Sequence, residues 1–267
     1  MQHSNSKMHT VLWSVLVLIY VVDSVHAQDK SLFSRYLHVK NGDTLPYRLL
    51  LPKNYNAKVQ YPLIVFLHGS GEKGNDNEKQ LKHGASFFLA DSNRNKFPAI
   101  VVFPQCPESD SWPNMEVKTD TATRKKTFYF KANGKPTKAM ASLIGLVGKL
   151  QSTYKPDRKR TFIGGLSQGG MGTFELVRRM PGIFSAAFPI CGGADPATAS
   201  ELIHTRWWIF HGAKDDVVFP KYSENMAKAL KEKGANVKLT IYPDANHNSW
   251  DNVFAEKNLL RWLFNNH

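Results

Sequence analysis

The segment Gly165-Leu166-Ser167-Gln168-Gly169 constrains this chain more than any other. It follows the apolar run Thr161-Phe162-Ile163-Gly164 and opens a helix-like stretch over 168–180. A serine flanked by glycines, placed where a strand turns sharply into a helix, is the sequence form of a nucleophile elbow. The turn leaves no room for side chains beside the serine, which is why glycine stands at 165 and 169. Such a turn lifts the hydroxyl to the top of a sheet and aims the first amide of the helix at the same point. It therefore requires a strand before it, a helix after it and a sheet to hold both.

The rest of the sequence supplies that sheet. Asn41-Gly42, between 35–40 and 44–51, reads as a hairpin turn that needs positive φ. The continuous apolar runs 62–67 and 99–103 suit strands buried on both faces. Segments 184–190, 207–211 and 237–242 supply three more strands. Helices are expected over 77–90, 137–154, 221–233 and 250–264, with Gly234 stopping the third and Pro181-Gly182 ending the helix after Ser167. Strands alternating with helices imply an α/β fold, a mostly parallel central sheet with helices on both faces. Residues 107–136 are the least regular and lie where a pocket wall or cap would sit.

At 267 residues and 42% hydrophobic content the chain can bury a sizeable core, and it shows no internal repeat. One catalytic domain over 28–267 is the expected organisation. Residues 1–27 read differently. Lys7, the apolar stretch 11–22 and the small-residue end Val25-His26-Ala27 have the order of a cleavable signal peptide. The apolar stretch is shorter than the roughly 20 residues of a membrane span. A secreted or periplasmic protein without a stable membrane anchor is expected.

The net charge of +13 is unchanged without residues 1–27, because Lys7 and Asp23 cancel. Such a surplus steers a protein towards anionic surfaces and also keeps it soluble. No zinc-finger spacing, helix-turn-helix signal or aromatic RNA-binding motif accompanies it, so no nucleic-acid partner is expected. Cys106 and Cys191 are far apart in sequence; a disulfide is possible in an exported protein, but two buried thiols are the preferred reading. Neither H-E-x-x-H nor C-x-x-C occurs and the ten histidines are dispersed, so no metal is expected.

A serine nucleophile needs a base, and the base needs a group that holds its tautomer. In enzymes built on this elbow the partners follow the serine in the order acid, then histidine. After Ser167 the histidines are His204, His211, His247 and His267. His247, in the loop after the last strand, is the candidate base: His267 is terminal, and His204 and His211 have before them no strand-end acid except Asp195, in a glycine-rich turn. The acid belongs at the end of the preceding strand, where Asp215 and Asp216 compete. The oxyanion needs two backbone donors. Gln168 supplies one, and the loop His68-Gly69-Ser70-Gly71 the other, with Ser70 preferred and Gly71 the fallback. Trp112, with Phe128, Tyr129 and Phe130, is a candidate lining for an aromatic acyl site, competing with ordinary packing, and Trp250 is a second candidate substrate contact.

With these parts in order the chain resembles the α/β-hydrolase superfamily. It is similar to exported esterases of the polyhydroxybutyrate-depolymerase-like and phospholipase/carboxylesterase groups, and to predicted peptidases of the prolyl oligopeptidase kind. The matching segments include Phe66-Leu67-His68-Gly69-Ser70-Gly71-Glu72, Phe103-Pro104-Gln105-Cys106-Pro107, the elbow, Pro189-Ile190-Cys191-Gly192-Gly193, His211-Gly212-Ala213-Lys214-Asp215 and His247-Asn248-Ser249-Trp250. They span nearly all of 28–267. The family's H-G-x-x-D pattern puts the acid at Asp215. Phe219 stands between Val218 and Pro220, where the family usually reads V-V-P. Dienelactone hydrolases are similar but carry cysteine where this chain has Ser167. The resemblance implies a serine carboxylesterase that works without a cofactor, through an acyl-enzyme at Ser167, on small esters or on acetyl or feruloyl esters of polysaccharide. A prolyl oligopeptidase-type serine peptidase and a non-catalytic hydrolase-fold binding protein are the alternatives.

Overall fold

The computed structural model describes residues 29–40 and 42–265. The signal-peptide reading of 1–27 and the turn residue Asn41 lie outside the described residues. In chain order the main elements are β1 (Ser34–Lys40), β2 (Asp43–Leu50), β3 (Leu63–Leu67), α1 (Ala85–Leu89), α2 (Asp91–Lys96) and β4 (Ile100–Pro104). They continue through β5 (Met115–Thr119), β6 (Lys126–Phe130), α3 (Lys138–Tyr154), β7 (Thr161–Leu166), α4 (Gln168–Arg179) and β8 (Ala186–Ile190). The chain then forms β9 (Arg206–Gly212), α5 (Lys221–Glu232), β10 (Val237–Tyr242), α6 (Trp250–Phe254) and α7 (Leu259–Phe264).

Eight strands form one sheet in the order β1-β2-β4-β3-β7-β8-β9-β10. β1 and β2 form an antiparallel hairpin whose turn has Gly42 at φ +83°, and β2 pairs antiparallel with β4. Every pairing from β4 to β10 is parallel. The continuous apolar runs follow from two-sided burial. Leu63, Val65 and Leu67 of β3 face one core cluster while Ile64 and Phe66 face the other, and Trp207 and Ile209 alternate with Trp208 and Phe210 on β9 in the same way. α3, α4 and α5 cover the first face; α1, α6 and α7 cover the second. The expected α/β architecture is the one observed.

Two expected helices are broken, and they are broken against each other. Segment 77–90 holds a 3₁₀ turn and then α1, separated by Gly84 at φ +84°. Segment 250–264 divides into α6 and α7. A Cβ on Gly84 would stand 2.8 Å from the Phe254 ring, so the aromatic end of α6 fills the space that the glycine leaves. Side-chain periodicity cannot show such a contact.

The irregular segment 107–136 contains a separate antiparallel sheet, β5 with β6, that no hydrophobic alternation announces. It is tied to the body through Tyr222 on α5, whose hydroxyl accepts the Phe128 amide at 3.1 Å and whose ring meets Phe128 and Phe130 edge-on. Among the described residues no helix is long and apolar enough to cross a membrane. Cys106 and Cys191 are both free and buried, as the preferred reading has it.

Candidate active site

Ser167 sits between β7 and α4 at φ +54°, a left-handed conformation costly for a non-glycine residue and typical of functional turns. The surrounding backbone is packed at contact distance. A Cβ at Gly165 would lie 2.4 Å from the Gly169 carbonyl oxygen, and one at Gly169 would lie 2.1 Å from the Leu67 carbonyl oxygen. The glycines thus let the start of α4 close onto the end of β3, the strand that leads into the His68–Gly71 loop. The Ser167 amide donates to Ile190 at 2.9 Å, which fixes the turn to β8.

The three residues expected to act together come from three strand ends and meet. His247 Nε2 is 2.9 Å from Ser167 Oγ, and His247 Nδ1 is 2.8 Å from Asp215 Oδ2. A carboxylate can only accept, so Nδ1 carries the hydrogen and Nε2 turns its lone pair to the serine. Asp216, the competing carboxylate, is exposed. Asp215 is 3% exposed and accepts from both sides: the amides of Val217 and Val218 reach Oδ1 at 3.0 and 2.9 Å, while two histidine rings reach Oδ2. Burial alone would raise its pKa, but the hydrogen bonds from His211, His247 and Val218 outweigh it and hold the group well below the usual carboxylate range. The loop keeps this geometry with Phe219 in place; the ammonium groups of Lys125 and Lys221 lie 5.8 and 5.7 Å from the centre of that ring.

The second ring on Asp215 is His211, which sequence order had set aside as a base. Its Nε2 faces two acceptors, Val218 O at 2.7 Å and Asp215 Oδ2 at 3.1 Å, so Nε2 carries a hydrogen shared between them. Nδ1 meets the Ser223 hydroxyl at 2.7 Å, and that hydroxyl meets the Gly192 carbonyl at 2.9 Å. His211 therefore positions the acid rather than the serine. The signal was present in H-G-x-x-D, where a histidine at the end of β9 precedes the carboxylate in the loop that follows.

The loop after β3 is oriented by His68. The Cys106 amide donates to His68 Nε2 at 2.9 Å, so the ring hydrogen is on Nδ1, which donates to the Gly69 carbonyl at 2.6 Å. In a trans peptide the following N–H points the opposite way. The Gly69 carbonyl is drawn towards the ring, so the Ser70 amide is turned from it, and Ser70 lines the cavity. The amide of Gln168, first in α4, has no acceptor within its helix, and Gln168 also lines the cavity. Burial lowers the His68 pKa to about 4, which keeps the ring neutral in this role.

Ser167 opens on a cavity of about 460 Å³. Ser70, Gln168, His247 and Trp250 line it, with Met115, Val117 and Phe128 of the β5–β6 hairpin on one wall. Trp112 is a correction: it is fully buried, its Nε1 donates to the His68 carbonyl at 3.1 Å, and its Cβ lies where a side chain on Gly172 would be. It braces the loop from beneath and does not reach the cavity. Of its three aromatic companions, only Phe128 lines this cavity; it also lines a second groove together with Tyr129 and Phe130. Glu72, Lys82 and His83, which no motif singled out for a role, line the cavity as well. Cys191, Asp215 and His247 also cluster within 4.8 Å, but burial pushes the thiol far above its ordinary pKa, leaving it neutral beside an already hydrogen-bonded pair.

The family model of the phospholipase/carboxylesterases matches residues 55–258. Among solved structures, a thermostable esterase is 33% identical with a TM-score of 0.77, over 88% of this chain and 63% of its own. The chain thus spans less than two thirds of that esterase. A CE1 ferulic acid esterase from Anaeromyces mucronatus has a TM-score of 0.60 at 14% identity, over 84% of this chain and 86% of its own. Dipeptidyl peptidase 4 of Porphyromonas gingivalis has a TM-score of 0.62 at 16% identity, over 88% of this chain and 35% of its own. At these identities the last two share the fold. No curated protein matches the chain.

Proposed function

The chain belongs to the phospholipase/carboxylesterase family of α/β-hydrolases, and from that premise we propose that it is a serine carboxylesterase acting through an acyl-enzyme at Ser167. One observation carries the reading: a hydrogen-bonded line Ser167–His247–Asp215, in the tautomer that leaves a free lone pair towards the hydroxyl, opening on a cavity with two amide donors. Ser167 Oγ attacks the ester carbonyl as His247 Nε2 takes its proton. The oxyanion forms against the Ser70 and Gln168 amides. Collapse breaks the bond to the alcohol oxygen, which takes the proton from His247 and leaves. Water then attacks the acyl-serine with His247 again as base, releasing the acid and restoring the serine.

The acyl group lies along the apolar hairpin wall, whose size suits acetyl to feruloyl groups. The signal-peptide pattern of residues 1–27 supports an exported enzyme and so acylated polysaccharide among its substrates. A fluorophosphonate probe tests the class directly. Labelling of Ser167 in the folded protein is expected, together with hydrolysis of p-nitrophenyl acetate far faster than of proline anilides. An unlabelled folded protein refutes the enzyme reading, and faster anilide cleavage refutes the ester preference.

A further inference from the structure

One corner of the cavity is built for a different chemistry from its apolar wall. Glu72 is 4% exposed and lines the cavity, yet among the described residues its nearest side-chain donors are His83 Nε2 at 3.5 Å and Lys82 Nζ at 3.7 Å. Both contacts are longer than a normal hydrogen bond. A buried carboxylate facing a cavity with such loose partners has acceptor capacity left for a ligand. The neighbouring cations decide which ligand. Lys82 already offsets the charge of Glu72, and Lys126 also lines the cavity, so an ammonium group gains little here, whereas hydroxyl groups can donate to Glu72 and accept from Lys82. Trp250 completes the corner, its ring 5.0 Å from that of His83 and 5.6 Å from that of His247.

We propose that Glu72, Lys82, His83 and Trp250 form the subsite for the alcohol half of the ester and select an alcohol that carries adjacent hydroxyl groups. The assignment to the alcohol half rests on the hydrolytic reading above: the leaving oxygen takes its proton from His247, so the leaving group lies on the His247 side, where Trp250 and then His83 continue the wall. The hairpin wall remains for the acyl group. A sugar ring fits the corner's chemistry, with its hydroxyl edge on Glu72 and Lys82 and its C–H face on the indole.

Binding is tested in Ser167→Ala protein by saturation-transfer NMR and calorimetry with methyl glucopyranoside, cyclohexanol and cyclohexylammonium. The glycoside is expected to bind at least ~10-fold more tightly than either control, and Glu72→Gln in the same background to weaken it about 10-fold, the order expected for a hydrogen bond to a charged acceptor. Lys82→Ala, at a side chain 66% exposed, is expected to weaken it about 3-fold, near the upper end for an exposed charge contact, and serves if Glu72→Gln does not fold. Equal binding of glycoside and cyclohexanol, tighter binding of the ammonium, or glycoside binding indifferent to both substitutions overturns the proposal. Because no turnover is involved, these outcomes are independent of whether the wild-type protein hydrolyses esters.

Discussion

The strand ends that carry Ser167, Asp215 and His247 and the β5–β6 hairpin that overhangs them are constructed in opposite ways. At the strand ends, backbone meets backbone at glycines, a carboxylate accepts four hydrogen bonds, and His68 and His211 brace the loops from buried positions. The hairpin leaves Val117 and Tyr129 largely exposed and rests on the body through the Phe128 and Phe130 contacts with Tyr222. Reaction chemistry tolerates little displacement, whereas fitting an acyl group tolerates much more. If the proposed esterase reading holds, rate belongs to the first region and selectivity to the second.

Four experiments test that division. Ser167→Ala is expected to lower kcat by about 10⁵- to 10⁶-fold, the order seen when a triad nucleophile is removed; a loss of only tenfold in steady-state assays would show that the strand ends do not carry the rate. Asp215→Asn is expected to cost around 10⁴-fold by presenting the wrong His247 tautomer. Asp216→Asn, at an exposed position, should change the rate by no more than about twofold. Reversed sensitivities in parallel kinetics would put the acid one residue further on.

The third experiment concerns stability. Folded His68 stays neutral down to about pH 4, whereas the unfolded ring takes its proton near its ordinary value of 6.5. Between those values the unfolded state binds more protons, so the contribution is complete above pH 6.5 and is lost as pH falls towards 4, by up to about 3 kcal/mol. Urea unfolding of wild type and His68→Gln across this window should show the shallower dependence in the variant; parallel curves would remove His68 as the brace. The smallest effect is expected on the hairpin. Phe128→Ala should lower kcat/KM for feruloyl esters by about 10-fold while acetyl esters change much less, the scale of one apolar pocket contact. An equal loss for both acyl groups would mean that the hairpin also supports the reaction centre.

The elbow and the order of its partners were readable because they are requirements on the backbone. Glycine at 165 and 169, the apolar run before Ser167 and the H-G-x-x-D loop each answer a local demand that few other residues meet. The two-sided sheet was readable from the runs in β3, β4 and β9 for the same reason. The Asp215 and Asp216 choice was not local; residue spacing only favoured one, and burial beneath His211 and His247 separates them. Trp112 and Phe128 were alike in sequence, as aromatics in one irregular segment, and only their surroundings divide them into a brace and a cavity wall.

An α/β sheet, a serine at a strand-to-helix elbow and the order in which its partners arrive are all written in local sequence. The packing of distant loops settles which carboxylate is buried, that a second histidine holds it, that the β5–β6 hairpin walls the cavity and that Glu72 faces that cavity. Range separates the two kinds of feature. Glycine conformation, strand periodicity and turn chemistry act between near neighbours. Burial and hydrogen bonding to distant loops depend on where the sheet brings them: His211 on β9 and His247 in the loop after β10 reach one carboxylate, and Gly84 meets Phe254 at the end of α6.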